Sequence, residues 1–211
     1  RTTGLRSRAV ENEDVMCDGE IELSDRAKSL WGKTNRVDDT EWLPLYVHMA
    51  DSAAMVVRIW DTWVPYGTKS IISRDLGNDD DLARKLMIFL AGVHDIGKAT
   101  PVFQAKPISF GPDAESLAWK PEQAGLPMIA GLRDTSHPTH PIAGQVILER
   151  YFSLVHKWGE RESRQYACVV GGHHGTPPDK SKLESARLGK TESGLDSEVW
   201  TTTQNELIEF I

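Results

Sequence analysis

Apolar residues recur along this chain at helical spacing, and no segment shows the strict alternation of a half-buried strand. From Leu43 to Trp63, the residues Val47, Met55, Val56, Ile59, Trp60 and Trp63 fall on helical repeats. Pro44 suits a first helical position, so an amphipathic helix of about five turns is expected, closed by Pro65 and Gly67. Asn78-Asp79-Asp80-Asp81 offers short acidic side chains that cap free backbone N–H groups and complement a helix dipole. A second helix should therefore run from about Leu82 to His94. Leu82, Leu86, Leu90 and Val93 share a face, and Met87, Ile88, Phe89 and Ala91 make it apolar nearly all round, which predicts a central buried helix.

Between Pro101 and Pro138 the breakers Pro107, Gly111, Pro112, Pro121, Gly125, Pro127 and Gly131 predict an irregular excursion with at most short helices. A third helix is expected from about Pro141 to Trp158. A fourth, from about Ser163 to His174, stops at Gly175 with Pro177 and Pro178 beyond. Residues 179–196 read as a polar loop, and a last helix starts near Thr201 or Thr202. Residues 1–23, with Glu11, Glu13, Asp14 and Asp18, read as a polar tail or strap. The expected class is all-α, a helical bundle spanning 24–211 with a Pro/Gly-rich excursion.

Composition narrows the chemistry. With 39% hydrophobic residues and seven Trp in 211 positions, the chain can bury one core. No run of about eighteen apolar residues occurs and no basic-then-apolar leader opens the chain, so a cytoplasmic protein without membrane contact is expected. Cys17 lies in polar sequence and Cys168 in an apolar run, which fits neither a disulfide scaffold nor a thiolate metal site. Metal chemistry would thus fall to His and carboxylates. The start at Arg1 and the apolar end Leu207-Ile208-Glu209-Phe210-Ile211 suggest a piece of a longer polypeptide. A net charge of −7 argues mildly against a surface built wholly for nucleic acid, although divalent ions in a cleft would reverse the local sign.

The histidines sit where chemistry would need them. His94-Asp95 ends an apolar helix, and a carboxylate there faces the negative end of the helix dipole unless a cation compensates. His173-His174 lies between Gly171-Gly172 and Gly175 at the end of another apolar helix. Adjacent helical residues point about 100° apart, so both rings reach one ion only from a helix end or an unwound turn, which the glycines permit. The plainer reading of that pair is capping of helix carbonyls. His48 lies one turn from Asp51, and His140 opens the third helix with room left by Gly144. His137, among breakers, and His156, beside Lys157 and Trp158, read as outside the cluster. One metal site between helices explains these positions jointly. Imidazole with carboxylate suits iron, manganese, cobalt, nickel or zinc rather than calcium. If two ions are held, Asp95 can bridge them, because a carboxylate has two oxygens and a neutral imidazole one lone pair.

The ordered set His48, His94-Asp95, His140, His173-His174 resembles the HD phosphohydrolase superfamily. Four strings narrow the likeness: Trp31-Gly32-Lys33; Leu45-Tyr46-Val47-His48-Met49-Ala50-Asp51-Ser52-Ala53-Ala54; His94-Asp95-Ile96-Gly97-Lys98-Ala99-Thr100-Pro101-Val102-Phe103-Gln104; and Gly171-Gly172-His173-His174-Gly175. They are similar to the HD nuclease domains of CRISPR-associated nuclease-helicases of the Cas3 family, type I-E-like, over about Trp31 to Pro178. The resemblance implies His48, His94 and Asp95 around one divalent ion, and Asp95, His140, His173 and His174 around a second. It makes Asp95 and Lys98 catalytic, Lys98 touching the scissile phosphate or protonating the leaving oxygen. It also implies one further Asp for the first ion. Asp179 and Asp196 stand in loop-like sequence, so that ligand is expected beyond Ile211.

The same resemblance implies single-stranded DNA as substrate and recruitment by an RNA-guided surveillance complex, Cascade. ATP would be used only by helicase domains of the same polypeptide, which this stretch lacks. Two ions about 3.5 to 4 Å apart would activate water, polarise the phosphate and stabilise the departing 3′ oxygen. Lys33, Arg58, Lys69, Arg84, Lys85, Lys180 and Lys182 are candidates for guiding the strand, with solvated surface charge as the plainer reading of each. Trp31, Trp42 and Trp60 are expected to pack in the core or an interface, with base stacking as the alternative. The rival functions are an HD phosphohydrolase acting on nucleotides or cyclic nucleotides, and a docking module whose catalysis is lost.

Overall fold

The computed structural model describes residues 22–35, 41–109, 112–132 and 134–211; residues 1–21 of the expected tail, Cys17 among them, lie outside these. The centre of the molecule is the hairpin of α7 (His140–Leu154) and α8 (Glu160–Gly171). Extended Thr139 and Pro141 set the start of α7, which buries every residue from Pro141 to Leu148 and then Tyr151 and Phe152. Burial of each side chain such as Ile147 or Leu148 stabilises the fold by about 1.5–3 kcal/mol. In α8 the Glu162 carboxylate accepts from the Gly159 N–H at 3.0 Å, while Ala167 and Val170 are buried.

The helix expected to be central, α4 (Asp80–Gly92), is instead peripheral: of its residues only Ala83, Leu90 and Gly92 are buried. Its all-round apolarity is partly covered by α2 (Leu45–Thr62) and α3 (Tyr66–Asp75). Its start is as the sequence implies, with the Asp79 carboxylate accepting from the Leu82 N–H at 2.9 Å. In α2 the core contacts come from Leu45, Met49 and Trp60, whereas Met55, Ile59 and Trp63 of the predicted apolar face point outward. After Pro65 the chain resumes as α3, which buries only Ser73 and therefore carries no apolar period.

Three short elements escaped the pattern. Ser24 caps α1 (Asp25–Ser29), and a two-stranded antiparallel ribbon pairs β1 (Trp31–Thr34) with β2 (Trp42–Pro44), Trp31 facing Pro44 and Thr34 facing Trp42. Pro44 thus closes a strand and stands just before α2. At three or four residues the strands are too short for alternation to show, and the fold remains mainly helical.

Thr100 caps α5 (Pro101–Gln104), and α6 (Pro112–Gln123) runs longer than the excursion was expected to allow, with Pro121 inside it. Residues 179–196 hold a further helix, α9 (Lys180–Leu188), in place of the predicted loop. The Asp179 carboxylate accepts from the Lys182 N–H at 2.9 Å, and Leu183 and Ala186 pack on Ile142 and Val146. The last helix, α10 (Glu198–Glu209), buries Trp200, whose indole N–H donates to the Pro127 carbonyl at 2.8 Å. Among the described residues no helix is long and apolar enough to cross a membrane.

Candidate metal centre

Four helix ends deliver the site. His48 lies in the first turn of α2, and His94 and Asp95 lie just past the end of α4. His140 opens α7, and His173 and His174 follow the end of α8. Past α4 the chain turns through a 3-10 segment, Ile96–Lys98, that packs on the start of α7. Glycine is required there: a Cβ on Gly97 would stand 1.9 Å from the His140 carbonyl oxygen and 2.5 Å from the Gly144 amide nitrogen. The approach of these two backbones is what brings His140 to Asp95.

Asp95 is the hub, only 4% exposed. Its Oδ2 lies 2.8 Å from His48 Nε2, 3.2 Å from His94 Nε2 and 2.8 Å from Lys98 Nζ. Its Oδ1 lies 3.2 Å from His140 Nε2 and 3.6 Å from His173 Nε2. The side chains therefore form two donor groups, His48 with His94 and Asp95, and His140 with His173 and His174; within each group the donor atoms lie within 4.8 Å of one another. One carboxylate oxygen faces each group.

The imidazoles are set for lone-pair donation. His94 Nδ1 contacts the Ala91 carbonyl at 2.7 Å and His173 Nδ1 the Val170 carbonyl at 2.6 Å. Those acceptors require the proton on Nδ1, which leaves Nε2 of each ring with its lone pair toward the centre. His173 Nε2 is buried without a hydrogen-bond partner, a costly arrangement for a ring that only packs. The orphaned nitrogen, the all-imidazole second group and the shared carboxylate fit a divalent transition metal.

Electrostatics agree. Burial raises the Asp95 pKa, but the imidazoles of His140, His48 and His94 and the Lys98 charge beside it outweigh burial and hold the carboxyl far below the usual range. Burial pushes the His140 and His173 imidazoles down, favouring their neutral form. For His94 burial also acts downward, yet the neighbouring Asp95 raises the pKa overall.

Around this centre a buried scaffold appears that spacing did not reveal. Lys98, 8% exposed, donates to the Gly32 carbonyl at 2.8 Å as well as to Asp95. Gln104 is fully buried; its amide donates to the Trp31 and Lys98 carbonyls at 3.0 and 2.9 Å, and its Oε1 accepts from the Trp31 N–H at 3.1 Å. The string containing Gln104 was visible in sequence, but nothing in it indicated a clamp between β1 and the 3-10 turn.

The remaining candidates are dispersed. Asp51 is exposed and lines a cleft of about 690 Å³ with Lys33, His48, His94 and His173, outside both donor groups. Asp179 caps α9 and Asp196 accepts from Thr191, so each carboxylate has a local task. His137 and His156 are exposed. Trp31 stacks on Phe103 at 4.5 Å, Trp60 is buried under Lys69, and Lys120 lies over Trp42, so these rings serve packing. Arg84 is engaged by Asp61, Lys85 by Asp81 and Lys180 by Glu184.

The family described as "Cas3, HD domain" matches residues 31–211. The CRISPR-associated nuclease/helicase Cas3 of Streptococcus thermophilus is 36% identical over 154 residues, covering 70% of this chain and 16% of that protein. The CRISPR-associated endonuclease/helicase Cas3 of Thermus thermophilus is 29% identical over 192 residues, covering 90% of this chain and 18% of that protein. The chain thus spans less than a fifth of the length of either relative. Among solved structures, a CRISPR-associated protein superposes with a TM-score of 0.73 at 30% identity, over 86% of this chain and 19% of that one. The Thermus thermophilus Cas3 HD domain in the presence of Ni2+ gives a TM-score of 0.58 at 24% identity, over 88% and 64%, and shows the shared fold.

Proposed function

Because the chain belongs to the HD-domain family of Cas3, we propose that it is a metal-dependent nuclease that cuts single-stranded DNA. In this reading His48, His94 and Asp95 hold one divalent ion, and Asp95, His140, His173 and His174 hold another. The observation that carries it is the division of Asp95, with Oδ2 toward His48 and His94 and Oδ1 toward His140 and His173. When bound, such ions supply Lewis acidity toward a phosphoryl oxygen and lower the pKa of water.

The residues of the chain set the conditions for that chemistry. Asp95 stays ionised across the physiological range, held so by its imidazole neighbours and Lys98. The Ala91 and Val170 carbonyls fix the tautomers of His94 and His173. Lys98 is the proposed cation beside the scissile phosphate. In the resting site its ammonium is committed to Asp95 and the Gly32 carbonyl, so its first task is to orient the carboxylate.

A single strand suits the surroundings. The centre borders two cavities, one of about 690 Å³ touching His48, His94 and also His173 of the second group, and one of about 470 Å³ touching His140 and His174. Residues of the centre thus face two separate surface cavities, which fits a strand lying across the site better than one pocket closed around a single nucleotide. The longer proteins that this chain resembles are named CRISPR-associated nuclease/helicases, which supports a helicase portion in the same polypeptide; ATP use by that portion, recruitment by the Cascade surveillance complex and a cytoplasmic location are part of the proposal.

The test compares metal-loaded protein on single-stranded oligodeoxynucleotide, duplex DNA, mononucleotides and cyclic nucleotides. Preferential cutting of the single strand is expected. Turnover of cyclic nucleotides alone would replace this reading with a nucleotide phosphohydrolase, and metal-loaded protein inert on all of them would leave a docking module.

A further inference from the structure

The cavity beside His140 and His174 has features that the two-ion reading leaves unused. It measures about 470 Å³, and Lys106 and Lys182 both line it, together with Asp179. The Thr139 and Thr176 side chains line it, and Pro141, Ile142, Pro177 and Pro178 give it apolar walls. Lys182 and Ile142 are shared with a neighbouring hollow of about 240 Å³ that continues past His137 and Ser185. The groove therefore leads away from the metal centre rather than ending at it.

We propose that this groove is a subsite for a backbone phosphate of the nucleic-acid strand adjacent to the one being cut, held between Lys106 and Lys182. The proposal rests on the nuclease reading above and adds a binding site to it. Lys106 is half-buried, and its ammonium lies 4.5 Å over the Phe103 ring, which in turn meets the His140 ring edge at 5.8 Å. Its charge is thus placed next to the second donor group.

Lys182 stands at the first turn of α9 with its ammonium 3.3 Å from Asp179. Both side chains are more than half exposed, and a pair of that kind is weak enough to exchange for a phosphate. A lysine binds phosphate as a point charge without reading a base, and apolar walls accept sugar and base faces of any sequence. The cavity beside His48 is lined by one lysine, Lys33, and one carboxylate, Asp51, whereas this groove has two lysines with one carboxylate, Asp179, so the two mouths differ in basic character.

The experiment measures binding of a fluorescently labelled oligodeoxythymidylate to chelated protein over a range of salt concentrations. Lys106→Met, Lys182→Ala and the double variant are compared with Lys106→Arg and Lys182→Arg. Each charge removal should weaken binding about 3–10-fold and make the logarithmic salt slope shallower by about 0.7, while each arginine variant stays near wild type. A double variant with wild-type affinity and salt slope would overturn the subsite, and so would arginine variants as weak as the neutral ones. The nuclease reading fails separately. Metal-loaded wild type that binds the oligonucleotide through these lysines without cutting it would remove catalysis and support the subsite.

Discussion

At the scale of single residues, Asp95 carries more of the account than any other side chain, because both donor groups meet on its two oxygens. Asp95→Asn keeps the shape and removes the charge. Metal content should fall from two ions per chain to one or none, and cleavage of single-stranded DNA should drop by at least about a hundredfold. The chelated variant should also lose about 3–5 kcal/mol of stability, since Lys98 would remain buried without its anion; denaturant unfolding measures that loss.

Protons compete with metal for imidazole, and the two groups differ in this respect. Burial lowers the His140 and His173 pKa values below the ordinary imidazole value of about 6.5, whereas Asp95 raises that of His94. As pH falls, the His48, His94, Asp95 group should therefore release its ion first. Equilibrium dialysis of His173→Ala and His48→Ala proteins, each keeping one group intact, checks the order. The former should empty at higher pH, and the reverse order would sink the argument. The residues that the structure brings together were legible because His and Asp at helix ends are few and each needs a reason. The links from Lys98 to Gly32 and from Gln104 to Trp31 were hidden, since they join segments more than sixty residues apart.

At the scale of elements, the site depends on how closely the 3-10 turn after α4 approaches the start of α7. Gly97→Ala would drive a methyl group into the His140 carbonyl, which is backbone and cannot rotate away. A loss of about 1–3 kcal/mol or more is expected, with the His140, His173, His174 group losing metal before the other. Thermal unfolding and metal stoichiometry read the two effects. Gln104→Leu should leave the Trp31 N–H and the Lys98 carbonyl without partners, at about 1–3 kcal/mol each, and shift β1 away from Lys98. Unchanged stability in that variant would remove Gln104 from the scaffold.

Helices α2, α4, α7, α8 and α10 were readable because each carries an apolar period or a clear cap and stop. Their ranking was not: Met87, Ile88 and Phe89 made α4 look central, yet the buried helix is α7, whose partners come from distant sequence. The α9 helix shows only Leu183 and Ala186 to the core, too little to mark a period, and Asp179 was its one local signal.

At the scale of the molecule, α2, α7, α8 and the turn after α4 are connected through one polar centre. A ligand that binds the folded state alone stabilises it, by about 2.7 kcal/mol at a hundred times its dissociation constant. Chelation should therefore lower the melting temperature, and Asp95→Asn protein should melt at the same temperature with or without chelator. The net charge of −7 gives no hint of the proposed nucleic-acid site, because the basic groups it would use, Lys33, Lys98, Lys106 and Lys182, are few and lie beside the centre.

The most direct measurement is anomalous scattering from crystals grown with nickel or manganese. Two peaks flanking Asp95 are predicted, one within bonding reach of Oδ2, His48 and His94, the other of Oδ1, His140, His173 and His174. Metal-replete crystals with no peak at Asp95, or with ions bound only elsewhere on the chain, would contradict the account.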